Sequence, residues 1–136
     1  MAKSIKKLNK HTLLPMADKG FLTHSEFQCM LNLWKLPARG GFTRDIQEGF
    51  EDPKPAYTTT ATFMKILVRK GFCSARRVDS MQYYTPLITK EEYCKRVMDR
   101  MREDYFDGGV LPMLEFVLKS NNVTPEQKEA IVAMLR

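Results

Sequence analysis

The chain has 136 residues and a formal net charge of +6; 43% of its residues are hydrophobic and 28% are charged. Those proportions suit one small domain with an appendage. No apolar run approaches the roughly 20 residues of a membrane-spanning helix, so no direct membrane insertion is expected. The opening Met1–Lys7 has lysines but no apolar stretch behind them, unlike a secretory leader, and the expected location is cytoplasmic.

Charge is unevenly spread. Residues 1–90 hold 15 Lys/Arg against 7 Asp/Glu, a balance of +8, whereas residues 91–136 hold 7 against 9, a balance of −2. Positive charge gathered in one part of a chain suits a polyanionic partner, because phosphates neutralised by Lys or Arg release their counterions. Cys29, Cys73 and Cys94 are odd in number and widely separated, and neither His11 nor His24 lies at zinc-finger spacing from them. They are read as reduced thiols, and no metal or other cofactor is expected.

In chain order, residues 1–20 show no hydrophobic period and read as a basic arm carrying Lys3, Lys6, Lys7, Lys10 and Lys19. The first helix is predicted after Thr23. Thr23-His24-Ser25-Glu26 is a capping box with Leu22 and Phe27 at staple spacing, and Phe27, Met30, Leu31 and Trp34 recur as one buried face. Pro37 and Gly40-Gly41 end it. A short second helix is predicted from Thr43, as its cap, to about Phe50, with Asp45 at its positive end and Ile46 and Phe50 toward the core. The prolines of Glu51–Pro55 then force extended geometry on the residues before them.

A third helix is predicted over 57–70, stopped by Gly71. Phe63, Ile66 and Leu67 make its apolar side. Thr58, Thr62, Lys65 and Arg69 form a continuous polar stripe, with Thr59 alongside. Residues 72–77 and 82–85, on either side of Val78-Asp79-Ser80-Met81, read as a β-hairpin closed by Pro86. Three further helices are predicted. One opens on the capping box Thr89-Lys90-Glu91-Glu92 and runs to about Phe106; a strongly apolar one spans 110–119 after Asp107-Gly108-Gly109; the last starts at Thr124-Pro125 and reaches the C-terminus.

Helix, short helix, helix, hairpin is the order of a winged helix-turn-helix, in which the third helix enters the major groove and the hairpin touches backbone or minor groove. The expected fold is therefore mainly α with a small β-hairpin wing, divided into the arm (1–20), a DNA-binding domain (21–87) and a helical dimerisation region (88–136). Small hydroxyls and methyls at the front of the third helix suit base edges, which singles out Tyr57, Thr58, Thr59, Ala61 and Thr62. Lys65, Arg69, Arg76, Arg77 and Arg44 are placed for phosphates. Residues 89–136 carry more apolar surface than three short helices can hide from water. Tyr105, Phe106, Leu111, Leu114, Val117, Leu118, Ile131 and Leu135 are expected at a twofold interface.

Phe50–Thr59, Lys70-Gly71-Phe72, Tyr83–Leu87, Ile88, Lys90–Tyr93 and Tyr105–Gly108 together resemble the penicillinase-repressor family, in register over residues 22–136. The resemblance implies homodimeric repressors of palindromic operators, usually of β-lactam-resistance or copper-handling genes, with base contacts falling on Thr58, Thr59, Ala61 and Thr62. Three departures stand out. Relatives commonly carry a longer polar side chain where this chain has Ala61. The copper-responsive branch has paired C-x-C units near its C-terminus, and residues 95–136 contain no cysteine. In the antibiotic-responsive branch a membrane-bound sensor protease triggers a cut in the dimerisation region; the matching stretch here is Glu103-Asp104-Tyr105-Phe106, which lacks the usual Asn-Phe dipeptide.

The competing classes are a winged-helix protein-interaction module and a regulator that binds a small ligand at a dimer interface. Enzyme activity is not expected: the two histidines stand beside no nucleophile or carboxylate pair, and no Gly-rich phosphate loop is present.

Overall fold

The computed structural model describes residues 20–136; the expected basic arm, apart from Gly20, lies outside the described residues. Helix α1 (His24–Lys35) begins as its capping box requires. The Thr23 amide donates to Glu26 Oε1 at 3.0 Å, and the Glu26 amide donates to Thr23 Oγ1 at 3.3 Å. Strand β1 (Gly41–Phe42) and helix α2 (Thr43–Glu48) follow, then α3 (Tyr57–Lys70), the hairpin β2 (Cys73–Val78) and β3 (Met81–Pro86), and helices α4 (Lys90–Phe106), α5 (Val110–Ser120) and α6 (Pro125–Met134). The three strands pair antiparallel in the order β1-β3-β2. This is a winged helix-turn-helix followed by a helical tail.

Several details differ from the sequence expectation, each for a local reason. Two-residue β1 is too short to show a period, yet it adds a third strand, pairing Gly41 with Tyr84 and Phe42 with Tyr83. Thr43 is not the cap of α2. It is buried inside the helix, while Asp45 takes the capping role by accepting from the Phe42 amide at 2.9 Å. The helix closes at Glu48, short of Phe50. The hairpin tip is only Asp79-Ser80, both with positive φ (50° and 68°), as a tight primed turn demands.

On α3 the line facing the core is Thr60, Met64 and Leu67, with Phe63 and Ile66 half-buried beside it. Thr60 can be buried because its hydroxyl donates to the Ala56 carbonyl at 3.1 Å. Gly71 ends the helix in the left-handed region at φ 85°, where Leu67 O accepts from Phe72 N–H. Around α3 the core gathers Leu22, Cys29, Met30, Leu33, Ile46, Phe72, Cys73, Tyr84 and Tyr93. Trp34 anchors α1 to the segment after the wing, its indole N–H donating to Ile88 O at 2.9 Å.

Tyr93 is how α4 joins this core. Its ring lies 5.5–6.5 Å from those of Phe21, Phe27, Trp34 and Phe72, and its hydroxyl accepts from the Leu22 amide at 2.8 Å. Arg96 donates to Gly20 O at 2.8 Å and stacks over Phe72, and Arg100 lies 4.7 Å over the Phe21 ring. Beyond this point the packing changes: α5 and α6 contain no buried residue. Phe106 and Phe116 meet at 5.6 Å where α4 turns into α5. No helix among the described residues is long and apolar enough to cross a membrane.

Candidate nucleic-acid interface

Helix α3 is held from both ends. At its front, Asn32 on α1 donates to Ile46 O of α2 at 2.9 Å, and Gln47 of α2 donates to Pro55 O at 3.0 Å, fixing the extended approach to Tyr57. At its back, Lys70 donates to Glu26 Oε1 at 2.6 Å and to Phe21 O at 3.0 Å, with side-chain exposures of 15% for the lysine and 6% for the glutamate. This charge-assisted pair, which carries Lys70 into the core boundary, has no counterpart among the sequence expectations. Residues 44 apart have no shared period to reveal them.

Helix α3 starts without a side-chain cap, as α5 does. Thr23, Thr89 and Thr124 build capping boxes on α1, α4 and α6. Ala56, at the same place on α3, offers no side-chain acceptor, and the first turn holds no acid. Its leading amides therefore keep their positive end free for an anion.

Along α3, Tyr57, Thr58, Thr59, Thr62, Lys65 and Arg69 are exposed and Ala61 is half-buried. Thr60, in the middle of the threonine run, faces inward. The Thr62 hydroxyl donates to Thr58 O at 2.9 Å. That commits its proton inside the helix and leaves the oxygen lone pairs and the methyl group outward.

Arg44 is exposed on the first turn of α2. Arg76 and Arg77 are neighbours on β2 and so stand on opposite faces, Arg76 against Tyr83 and Arg77 against Gln82. The ion pairs of the described residues engage Lys54, Lys70, Lys95, Arg100, Arg102 and Lys119. Arg44, Lys65, Arg69, Arg76 and Arg77 are in none of them, so five cations face solvent around α3 and the hairpin without an acid among the described residues.

In the tail, Tyr105, Leu111, Leu114, Val117 and Leu135 are exposed, Leu111 at 77% and Leu135 at 74%. Phe106, Leu118 and Ile131 are half-buried. Phe116, at 59%, joins the exposed set, as do Val110, Val132 and Met134. Glu103–Phe106 form the last turn of α4, where Asp104 pairs with Arg100 at 3.2 Å. Among the described residues no cluster of His, Cys, Asp or Glu could hold a metal. Burial pushes the Cys29 and Cys73 thiols up to about 12, Cys29 also feeling Glu26 and Cys73 feeling Cys29, which makes both inert; Cys94 is exposed on α4.

A family model described as "Penicillinase repressor" matches residues 22–136. A comparison with curated proteins returns no match.

Proposed function

Since the chain belongs to the penicillinase-repressor family, whose members are DNA-binding transcriptional repressors, we propose that it represses as a homodimer seated on a palindromic operator. Residues 21–87 are the DNA-binding unit of this reading and 88–136 the dimerisation region. The front of α3 lies in the major groove, where Thr58, Thr59, Ala61 and Thr62 meet base edges and Tyr57 lies beside them. Arg44, Lys65, Arg69, Arg76 and Arg77 take phosphates.

The observation that carries this reading is the bare cationic rim around an uncapped, hydroxyl-lined helix. Dimerisation is supported by the tail's exposed apolar residues, Leu111, Leu114, Phe116, Val117 and Leu135 foremost, which a twofold mate would remove from water. A short alanine at position 61, flanked by threonines, gives a reading surface of methyls and hydroxyls with affinity for thymine methyls and for base amino groups.

Selection of bound sequences from random duplexes tests the whole reading: a twofold-symmetric site with half-sites about one helical turn apart is expected. A single asymmetric site, or no enrichment, contradicts it. On the selected site Thr62→Val and Ala61→Leu each cost about 1–3 kcal/mol and little on random DNA. Equal losses on every sequence would remove these residues from base reading.

Release from the operator is assigned to a cut within Glu103–Phe106, triggered by a membrane-bound sensor protease. The support is positional: the stretch joins the anchored part of α4 to the exposed tail. A full-length band throughout derepression, on a blot of induced cells, counts against it.

A further inference from the structure

Arg76 is not simply a cation on a strand. It is the cross-strand partner of Tyr83, so both side chains stand on one face of the hairpin. The guanidinium carbon lies 5.0 Å from the centroid of the Tyr83 ring. That ring in turn meets Phe42, its register partner on β1, edge to face at 5.1 Å and 83°. Phe42, Tyr83 and Arg76 thus form a row across all three strands, on the face opposite that of Tyr84, which is buried in the core. The row is backed at Gly40. A Cβ there would come within 2.8 Å of Tyr83 Cε1 and 2.7 Å of Tyr84 O, so only glycine lets the chain lie this close to the ring.

A long side chain loses rotamer freedom when it grips a phosphate. A ring that already holds the flat side of the guanidinium removes part of that loss and leaves the N–H edge open to an anion. We infer that Tyr83, backed by Phe42 and Gly40, is a positioning residue that presents Arg76 to a phosphate of the bound duplex. The inference rests on the DNA-binding reading above. It also adds a distinction to it: Arg77, on the other face and paired with Gln82, lacks such a platform.

The test is a double-mutant cycle on the full chain, read by operator affinity, with side-chain NMR of the free protein alongside. Tyr83→Leu is expected to weaken operator binding about 3- to 10-fold. Tyr83→Phe, which keeps the ring, stays within about 2-fold of the parent. In an Arg76→Ala background Tyr83→Leu adds nothing further. In the free protein the Arg76 side-chain methylene protons lie upfield of their usual positions in the parent and in Tyr83→Phe, and lose that shift in Tyr83→Leu. An equal loss from Tyr83→Leu with and without Arg76 overturns the inference, since the ring would then act through the fold alone. So does an Arg76 spectrum indifferent to Tyr83, or an operator affinity indifferent to Tyr83→Leu, while the parent still selects its site. A parent that selects no sequence at all defeats the DNA-binding reading, and the phosphate role of Arg76 with it, even where the ring-current shift persists.

Discussion

In the winged-helix part of the chain the large apolar residues gather in one core, and Arg44, Lys65, Arg69, Arg76 and Arg77 pair with no acid among the described residues. From the middle of α4 onward the arrangement is reversed. Lys95, Arg100, Arg102 and Lys119 have carboxylates within 4 Å, and it is Leu111, Leu114, Phe116, Val117 and Leu135 that face water. A field of bare guanidinium and ammonium groups suits a polyanion. An apolar face suits another apolar face, and neutralised cations beside it lower repulsion between two copies.

The largest effect that would sharpen this contrast lies inside the winged-helix part, at the back of α3. Lys70→Met strands Glu26 as an unpaired charge at the core boundary, and about 3–5 kcal/mol of stability should be lost in a denaturant titration. Next comes the tail. Leu114→Asp should convert the protein to monomers by sedimentation and reduce operator affinity by about 100-fold or more, because the second half-site no longer gains from the first. The melting of the winged-helix core should be preserved; its collapse with the dimer would break the division between the two parts. Smaller still is the change from Arg77→Ala, which should lower the slope of log affinity against log salt by about 0.9, the contribution of one phosphate.

Two predictions concern ionisation. Folding raises the Cys29 and Cys73 thiols from 9.0 to about 12. Their protonated forms thus favour the native state fully below pH 9, and stability should fall as pH climbs from 9 toward 12 while unfolded thiols ionise. Cys29→Ala should flatten that fall, and in the native protein a thiol reagent should label Cys94 long before the other two. The smallest effect is at acid pH. Glu92 is held below its usual value by hydrogen bonds from the Thr89 amide and hydroxyl, and Asp99 by the hydrogen bond from Lys95. Their contribution is present above pH 4.5 and 3.8 respectively and is lost on acidification below those values, so Glu92→Gln should shallow the acid limb of the stability profile.

Much of the fold is legible in the sequence because the signals are local. Capping boxes at Thr23, Thr89 and Thr124 mark helix starts within a residue, and Gly71 marks a stop. The hairpin is legible too, as two runs flanking Val78-Asp79-Ser80-Met81, while the structure tightens its turn to Asp79-Ser80 and pairs Val78 with Met81 and Arg76 with Tyr83. The features that escape are those whose cause lies far along the chain. Thr43 has the right chemistry for a cap, yet it is buried one residue inside the helix that Phe42 begins. The core-facing line of α3 is displaced toward Thr60 because a threonine whose proton returns to Ala56 O behaves as an apolar residue. In the sequence Tyr83 is only an aromatic on a strand, since the row that makes it a platform needs β1, two residues without a pattern of their own.

The short segment Gly20–Leu22 touches Lys70 at the back of α3 and Tyr93, Arg96 and Arg100 along the first half of α4. Mechanically it is the fulcrum of a lever. Helix α4 is 17 residues long, and the stretch from Arg100 to Phe106 carries it about 9 Å beyond that seat. A tilt of about 5° at Phe21 would carry the far end through roughly 0.8 Å at that length. In the dimer proposed above, the seat of α4 on these three residues is one of the angles that set how far apart the two α3 helices stand.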